Sequence, residues 1–180
     1  MKVLKKIILG VVILAGILLI IALFVKKEYS VEREITINKP RGQVFDYIKY
    51  LKNQDNYSVW ARMDPNMKRE YRGTDGTAGF VSAWESDDKK VGKGEQQIEK
   101  ISEGDRIDLD LHFIKPFEGK ADARMITESV ADNQTKVKWG FDSKMNYPMN
   151  IMLLFMNMDK MVGNDLQTGL DTLKSILEKQ

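Results

Sequence analysis

A single histidine, His112, and the absence of any cysteine bound the chemistry open to this 180-residue chain. Without thiols there is no thiolate nucleophile, disulfide or cysteine-based metal site, and the redox compartment stays open. His112 lies in DRIDLDLHFIK (105–115), where Ile107, Leu109, Leu111 and Phe113 alternate with Asp108, Asp110 and His112. That alternation puts the histidine on the wet face of a strand, with no nucleophile to activate. One histidine alone makes no familiar metal site. Asp108 and Asp110 share its face, about 7 Å apart as for any residues two apart on a strand. Such a spacing suits paired carboxylates or a cation, and it is equally the ordinary polar side of a strand. Gly92-Lys93-Gly94 is a G-x-G with no helix after it, so it predicts a bulge or a close backbone approach, not a phosphate cradle. These residues name no catalytic group, no metal site and no cofactor.

The stronger candidates line an apolar pocket. Trp60, Phe80, Trp84, Trp139 and Phe141 offer rigid apolar wall, and indole N–H groups can bond the polar end of a ligand. Met125 is placed with them. The alternative is that these rings fill a core. Ser82, Gln96, Thr127 and Ser143 fall at inward strand positions, where scattered polar groups orient a ligand or must find partners in a packed interior.

A further cluster is compositional. MNYPMNIMLLFMNMDKM (145–161) holds six of the ten methionines. Pro148 is a plausible helix start, and Met149, Ile151, Met152, Phe155, Met156 and Met158 would then lie all round the helix. One face can meet a sheet; another must meet a ligand, a partner or lipid. Because methionine adapts to varied shapes, Met149, Met152, Phe155 and Met156 are assigned to a pliable wall or gate of the pocket, with an ordinary core and a membrane-seeking surface as alternatives.

The elements that position these residues begin with an anchor. Ile7–Val25 runs 19 residues without a charged or strongly polar side chain. As a helix it spans roughly 28 Å, the hydrocarbon thickness of a bilayer. A signal peptide would have a shorter run and a small-x-small site, whereas this run ends LFVKK. Residues 1–28 are therefore assigned to a membrane anchor and 29–180 to one domain. Lys2, Lys5 and Lys6 favour a cytoplasmic tail and a domain outside the cytoplasm, nearly balanced by Lys26, Lys27 and Arg33.

After the anchor, SVEREITI (30–37) alternates as a first strand, and Asn38 and Pro40 introduce a helix carrying Val44, Phe45, Ile48 and Leu51. Asn53–Pro65 is an irregular connector. Six strands follow, near 67–73, 77–86, 91–102, 105–115, 118–130 and 135–145. From about Met149 one long helix runs to the end, its stripe including Leu166, Leu170, Leu173 and Leu177. Hairpin-linked strands curl into a twisted sheet whose apolar face needs a cover, and only the terminal helix is long enough. A cavity remains between them unless side chains fill it. With 28 basic and 26 acidic residues well mixed, no nucleic-acid surface is visible.

From about Val31 to Glu178 the chain resembles the START-like, or SRPBCC, superfamily, in particular its polyketide cyclase/dehydrase-type branch. The carriers are ITINKPRGQVFDYI, W-x-x-M-D-P at Trp60–Pro65, G-T-D-G-T-x-G-x-x-x-x-W at Gly73–Trp84, and G-x-G at Gly92–Gly94. P-F at 116–117, K-V-K-W at 136–139 and M-D-x-x-x-G-x-D-x-x-x-G-L-x-x-L-K at Met158–Lys174 complete them. The resemblance implies an α+β helix-grip (Bet v 1-like) fold, a curved antiparallel sheet wrapped on a long C-terminal helix, with a cavity for lipids, polyketides or other apolar ligands. It does not imply catalysis. The expected function is binding or transport of a hydrophobic small molecule or lipid beside the membrane. A cyclase or dehydratase would need a positioned acid or base in the cavity. A chaperone-assisting interaction module would show a solid core and an exposed apolar patch.

Overall fold

Helix α1 (Lys2–Phe24) carries the apolar run at a mean hydropathy of 3.3, long and apolar enough to cross a membrane, with nearly every side chain exposed. It belongs to a computed structural model that describes residues 2–180. Strand β1 (Glu28–Ile37) follows after three residues, then α2 (Arg41–Ile48). Pro40 supplies the fixed φ of −58° before α2, and Val44, Phe45 and Ile48 turn one face into the core. The stretch read as an irregular connector is more ordered than expected. It forms a 3-10 turn (Leu51–Asn53), α3 (Gln54–Tyr57) and α4 (Val59–Met63). Asp75, from the Asp-Gly turn, accepts from the Leu51 and Lys52 amides and so fixes the start of this segment. No periodicity over five residues could have shown helices so short.

Strands β2 (Lys68–Arg72), β3 (Val81–Glu85), β4 (Lys93–Ser102), β5 (Arg106–Lys115), β6 (Gly119–Ala131) and β7 (Gln134–Lys144) lie where the alternation put them. All neighbours pair antiparallel, in the order β1-β7-β6-β5-β4-β3-β2. The G-x-G does mark a close approach. A Cβ on Gly94 would sit 2.6 Å from the Trp84 ring and 2.7 Å from the His112 carbonyl oxygen, beside a register shift.

The terminal helix is shorter than expected. Residues Met149–Leu154 form a separate 3-10 turn, and α5 (Met158–Glu178) begins only after Asn157, whose side chain accepts from the Lys160 amide as an N-cap. The break explains why the apolar residues of 149–156 follow no helical stripe. They do not belong to the covering helix. Leu166, Leu170, Leu173 and Leu177 do form its buried stripe, each contributing roughly 1.5–3 kcal/mol by burial. α5 packs chiefly on β1, also touching β7, α3 and α4. Arg33 points from β1 toward the start of α5, donating to both carboxylate oxygens and the main-chain oxygen of Asp159.

Candidate functional site

The inward face of the sheet divides into a filled half and an open half. In the filled half Ile107, Met125, Trp139 and Leu109 are buried beneath α5 and the short helices. Tyr57 stands edge-on to Trp139 at 5.7 Å, Trp60 lies edge-on to the same ring at 6.4 Å, and the Tyr57 hydroxyl is 3.5 Å from Met125 Sδ. Burial pushes the Tyr57 hydroxyl far above its ordinary pKa, so it stays neutral. Gly169 of α5 faces Trp139 so closely that a Cβ would meet the ring at 2.8 Å. Phe80, stacked on Tyr71 at 6.1 Å, is buried as well. Phe80, Met125 and Trp139 are therefore packing residues, placed inward as expected but covered.

The open half starts one pairing row further along. Tyr29, Ser143, Leu111, Gln96 and Ser82, on β1, β7, β5, β4 and β3, remain half-buried there, with Phe141, Phe113 and Trp84 beside them. Four of these rings form a band across the sheet: Tyr29 to Phe141 at 6.3 Å, Phe141 to Phe113 at 6.5 Å, and Phe113 to Trp84 at 6.1 Å. The small side chains of Ala121 and Ala123 lie between β5 and β7 on β6, so no bulk rises beneath the band. Half-exposed aromatic rings on a concave face make an apolar wall.

Most of the inward polar groups are already engaged. Gln96 donates to Gln54 Oε1 at 3.0 Å, Ser143 to the Lys120 carbonyl at 2.8 Å, and Trp84 Nε1 to the Val91 carbonyl at 3.2 Å. Thr127 accepts from Arg41 and donates to the Gly104 carbonyl, which makes it structural. The Trp84 indole is thus not free to bond a ligand. His112 stays on the outer face, 3.7 Å from Glu118. Among the described residues no three acidic or histidine side chains converge as a metal site would require.

Asp165 is a partly buried carboxylate that the sequence pattern did not single out. It is half-buried on α5, one turn before Gly169 and on the same helix face, and burial alone holds its carboxyl above the usual range. Asp159 is the opposite case, its carboxyl held down by the Arg33 hydrogen bond. The two should respond to asparagine with opposite signs. Asp159→Asn should lower the melting temperature at pH 7, the difference fading as the pH falls through the depressed value, below about pH 4. Asp165→Asn should raise it at pH 7, because the ionised form costs the fold stability. That gain should fade as acidification protonates Asp165 at its raised value, above about pH 4. Melting curves across pH 3–8 read both.

The methionine-rich segment lies elsewhere than over the sheet. Met149, Met152 and Phe155 are exposed and Met156 half-buried, and the turn packs against α1. A groove of about 980 Å³ runs there, walled by Ile21 and Phe24 of α1, Tyr29 and Val31 of β1, and Phe155 and Met156. Tyr29 and Val31 also face the concave side of the sheet, so this groove borders the open half at its β1 edge. A smaller recess of about 520 Å³ is lined by Asp55, Arg62 and Arg69; Asp55 pairs with Arg69 and its carboxylate accepts from the Tyr71 hydroxyl.

A seven-stranded antiparallel sheet curved on a long C-terminal helix, with α2 to α4 at one end, is the START-like, Bet v 1-like helix-grip fold. No family model matches the chain, and no curated protein matches it in sequence. Solved structures carry the likeness. Ara h 8.0201 is 15% identical with a TM-score of 0.56, the match covering 85% of this chain and 99% of that one. Protein CV1439 from Chromobacterium violaceum is 9% identical with a TM-score of 0.59, over 83% and 96%. Norcoclaurine synthase from Thalictrum flavum, solved in complex with dopamine and hydroxybenzaldehyde, is 8% identical with a TM-score of 0.61, over 85% and 88%. These likenesses show that the chain has the Bet v 1-like helix-grip fold.

Proposed function

We propose that the chain is a membrane-anchored START-like domain that binds or carries a hydrophobic small molecule or lipid on the open half of its concave face. The carrying observation is the aromatic band Tyr29–Phe141–Phe113–Trp84, which points inward yet stays half-exposed. A purely structural face would have been covered like Trp139 two residues before Phe141. Helix α1 serves as the single-pass anchor for residues 29–180, and the three lysines before its apolar run, nearly balanced by Lys26, Lys27 and Arg33, favour a domain outside the cytoplasm. An anchor three residues from the first strand keeps the concavity where apolar ligands partition.

The test uses the full chain in vesicles containing a phospholipid with a photoreactive acyl chain. Adducts mapped by mass spectrometry should fall on Phe113, Phe141 or Trp84 as well as on α1. Adducts confined to α1 and its immediate neighbours would overturn the binding reading while leaving the anchor intact.

A further inference from the structure

The segment Met149–Met156, MNIMLLFM, contains no charged residue, and its only polar side chain is Asn150. An ordinary surface turn exposes its polar groups and hides its apolar ones. This turn does the reverse. Asn150 is fully buried and donates from Nδ2 to the carbonyl oxygens of Ala22 at 2.7 Å and Val25 at 3.0 Å, at the end of α1. Met149, Met152 and Leu154 are exposed, and Phe155 is 76% exposed beside Phe24 at 85%.

The hydrogen bonds fix where this exposed surface lies relative to a bilayer. Ala22 and Val25 belong to the last turn of the 19-residue apolar run. The final carbonyls of any helix lack helical partners, and carbonyls facing lipid cannot be satisfied by water. Asn150 satisfies two of them and so holds its own turn at the depth of residues 22–25. That is the boundary between hydrocarbon and headgroups if α1 spans the membrane.

We infer that Met149–Met156 is a second membrane contact, a short wedge whose Met149, Met152, Leu154 and Phe155 side chains enter the leaflet beside α1. The inference rests on the anchor reading given above. It accounts for the methionine content, since flexible thioethers pack against disordered acyl chains without a fixed partner shape. The wedge also forms one wall of the 980 Å³ groove, opposite Tyr29 and Val31. The groove therefore opens into the leaflet, and an apolar ligand reaches the β1 edge of the concave face without crossing bulk water.

The chain lacks cysteine, so single-cysteine variants of the full protein can each carry one bimane fluorophore. Four positions in nanodiscs of phosphatidylcholine and phosphatidylglycerol decide the matter: Met152→Cys, Phe155→Cys, Leu14→Cys in mid-run, and Asp132→Cys in the turn at the far end of β1. Iodide quenching at positions 152 and 155 is expected about tenfold below that at 132, and close to that at 14, because hydrocarbon excludes the ion. Quenching at 152 and 155 equal to that at 132, with position 14 protected, would overturn the wedge and leave the anchor standing. Free quenching at position 14 would overturn the anchor and the wedge together.

Discussion

Trp139→Ala is expected to lower the unfolding free energy by about 3–5 kcal/mol, the range for removing a large aromatic from a packed interior. The indole is 5% exposed and closed in from several directions. Tyr57 and Trp60 stand edge-on to it, and Met125 and Arg33 pair beside it across the sheet. Above it the backbone of α5 at Gly169 leaves no space even for a methyl group. The cavity left by alanine could close only if α5 moved toward β7, and its leucine stripe resists that motion. Since domains of this size are stable by only about 5–15 kcal/mol, a large share of the total would go. The melting temperature should fall by roughly 10 °C or more. Near-ultraviolet circular dichroism of the full chain in detergent reads the domain alone, because α1 carries no tryptophan or tyrosine. A loss below about 1 kcal/mol would mean that the indole stands in an open pocket rather than in a core.

Trp139 also shows where sequence reasoning stops. Alternation along KVKWGFDS placed Trp139 and Phe141 on one face, and the structure agrees. Yet one is buried and the other half-exposed. Tyr57 and Trp60, which α3 and α4 bring onto the Trp139 ring, account for its burial, and helices of four and five residues leave no periodic trace. Leu111 and Phe113 were legible as inward, and they are candidate site residues because they stay half-exposed. The methionine segment failed for a related reason. Its placement depends on Asn150 meeting carbonyls some 125 residues away, and no local pattern encodes such a pairing. The break before α5 was more accessible: Asn157, followed by Met158 and Asp159, is an N-cap with an acidic residue in the first turn. Strands, turns and the leucine stripe, which depend on neighbours in sequence, were all where local rules put them.

Two positions on one strand can separate the filled half from the open half. Leu109 and Leu111 share the inward face of β5, the central strand, but Leu109 is buried and Leu111 half-exposed. Leu109→Trp forces extra volume against Ala123, Phe141 and Ile98, and should destabilise the domain by about 1–3 kcal/mol or more. Leu111→Trp places the same volume beside the aromatic band at a half-exposed position, so stability should change by less than about 1 kcal/mol. A ligand in that space would now meet the indole. If its displacement costs the same 1–3 kcal/mol, photoreactive-lipid adducts at Phe113 and Phe141 should fall on the order of tenfold. The pattern to look for is crossed: Leu109→Trp melts early, and Leu111→Trp stays folded but loses adducts. A Leu111→Trp protein with undiminished labelling would show that the lipid never enters the concavity. A Leu111→Trp protein as unstable as Leu109→Trp would show that the second half is filled too, and the binding proposal would lose its space.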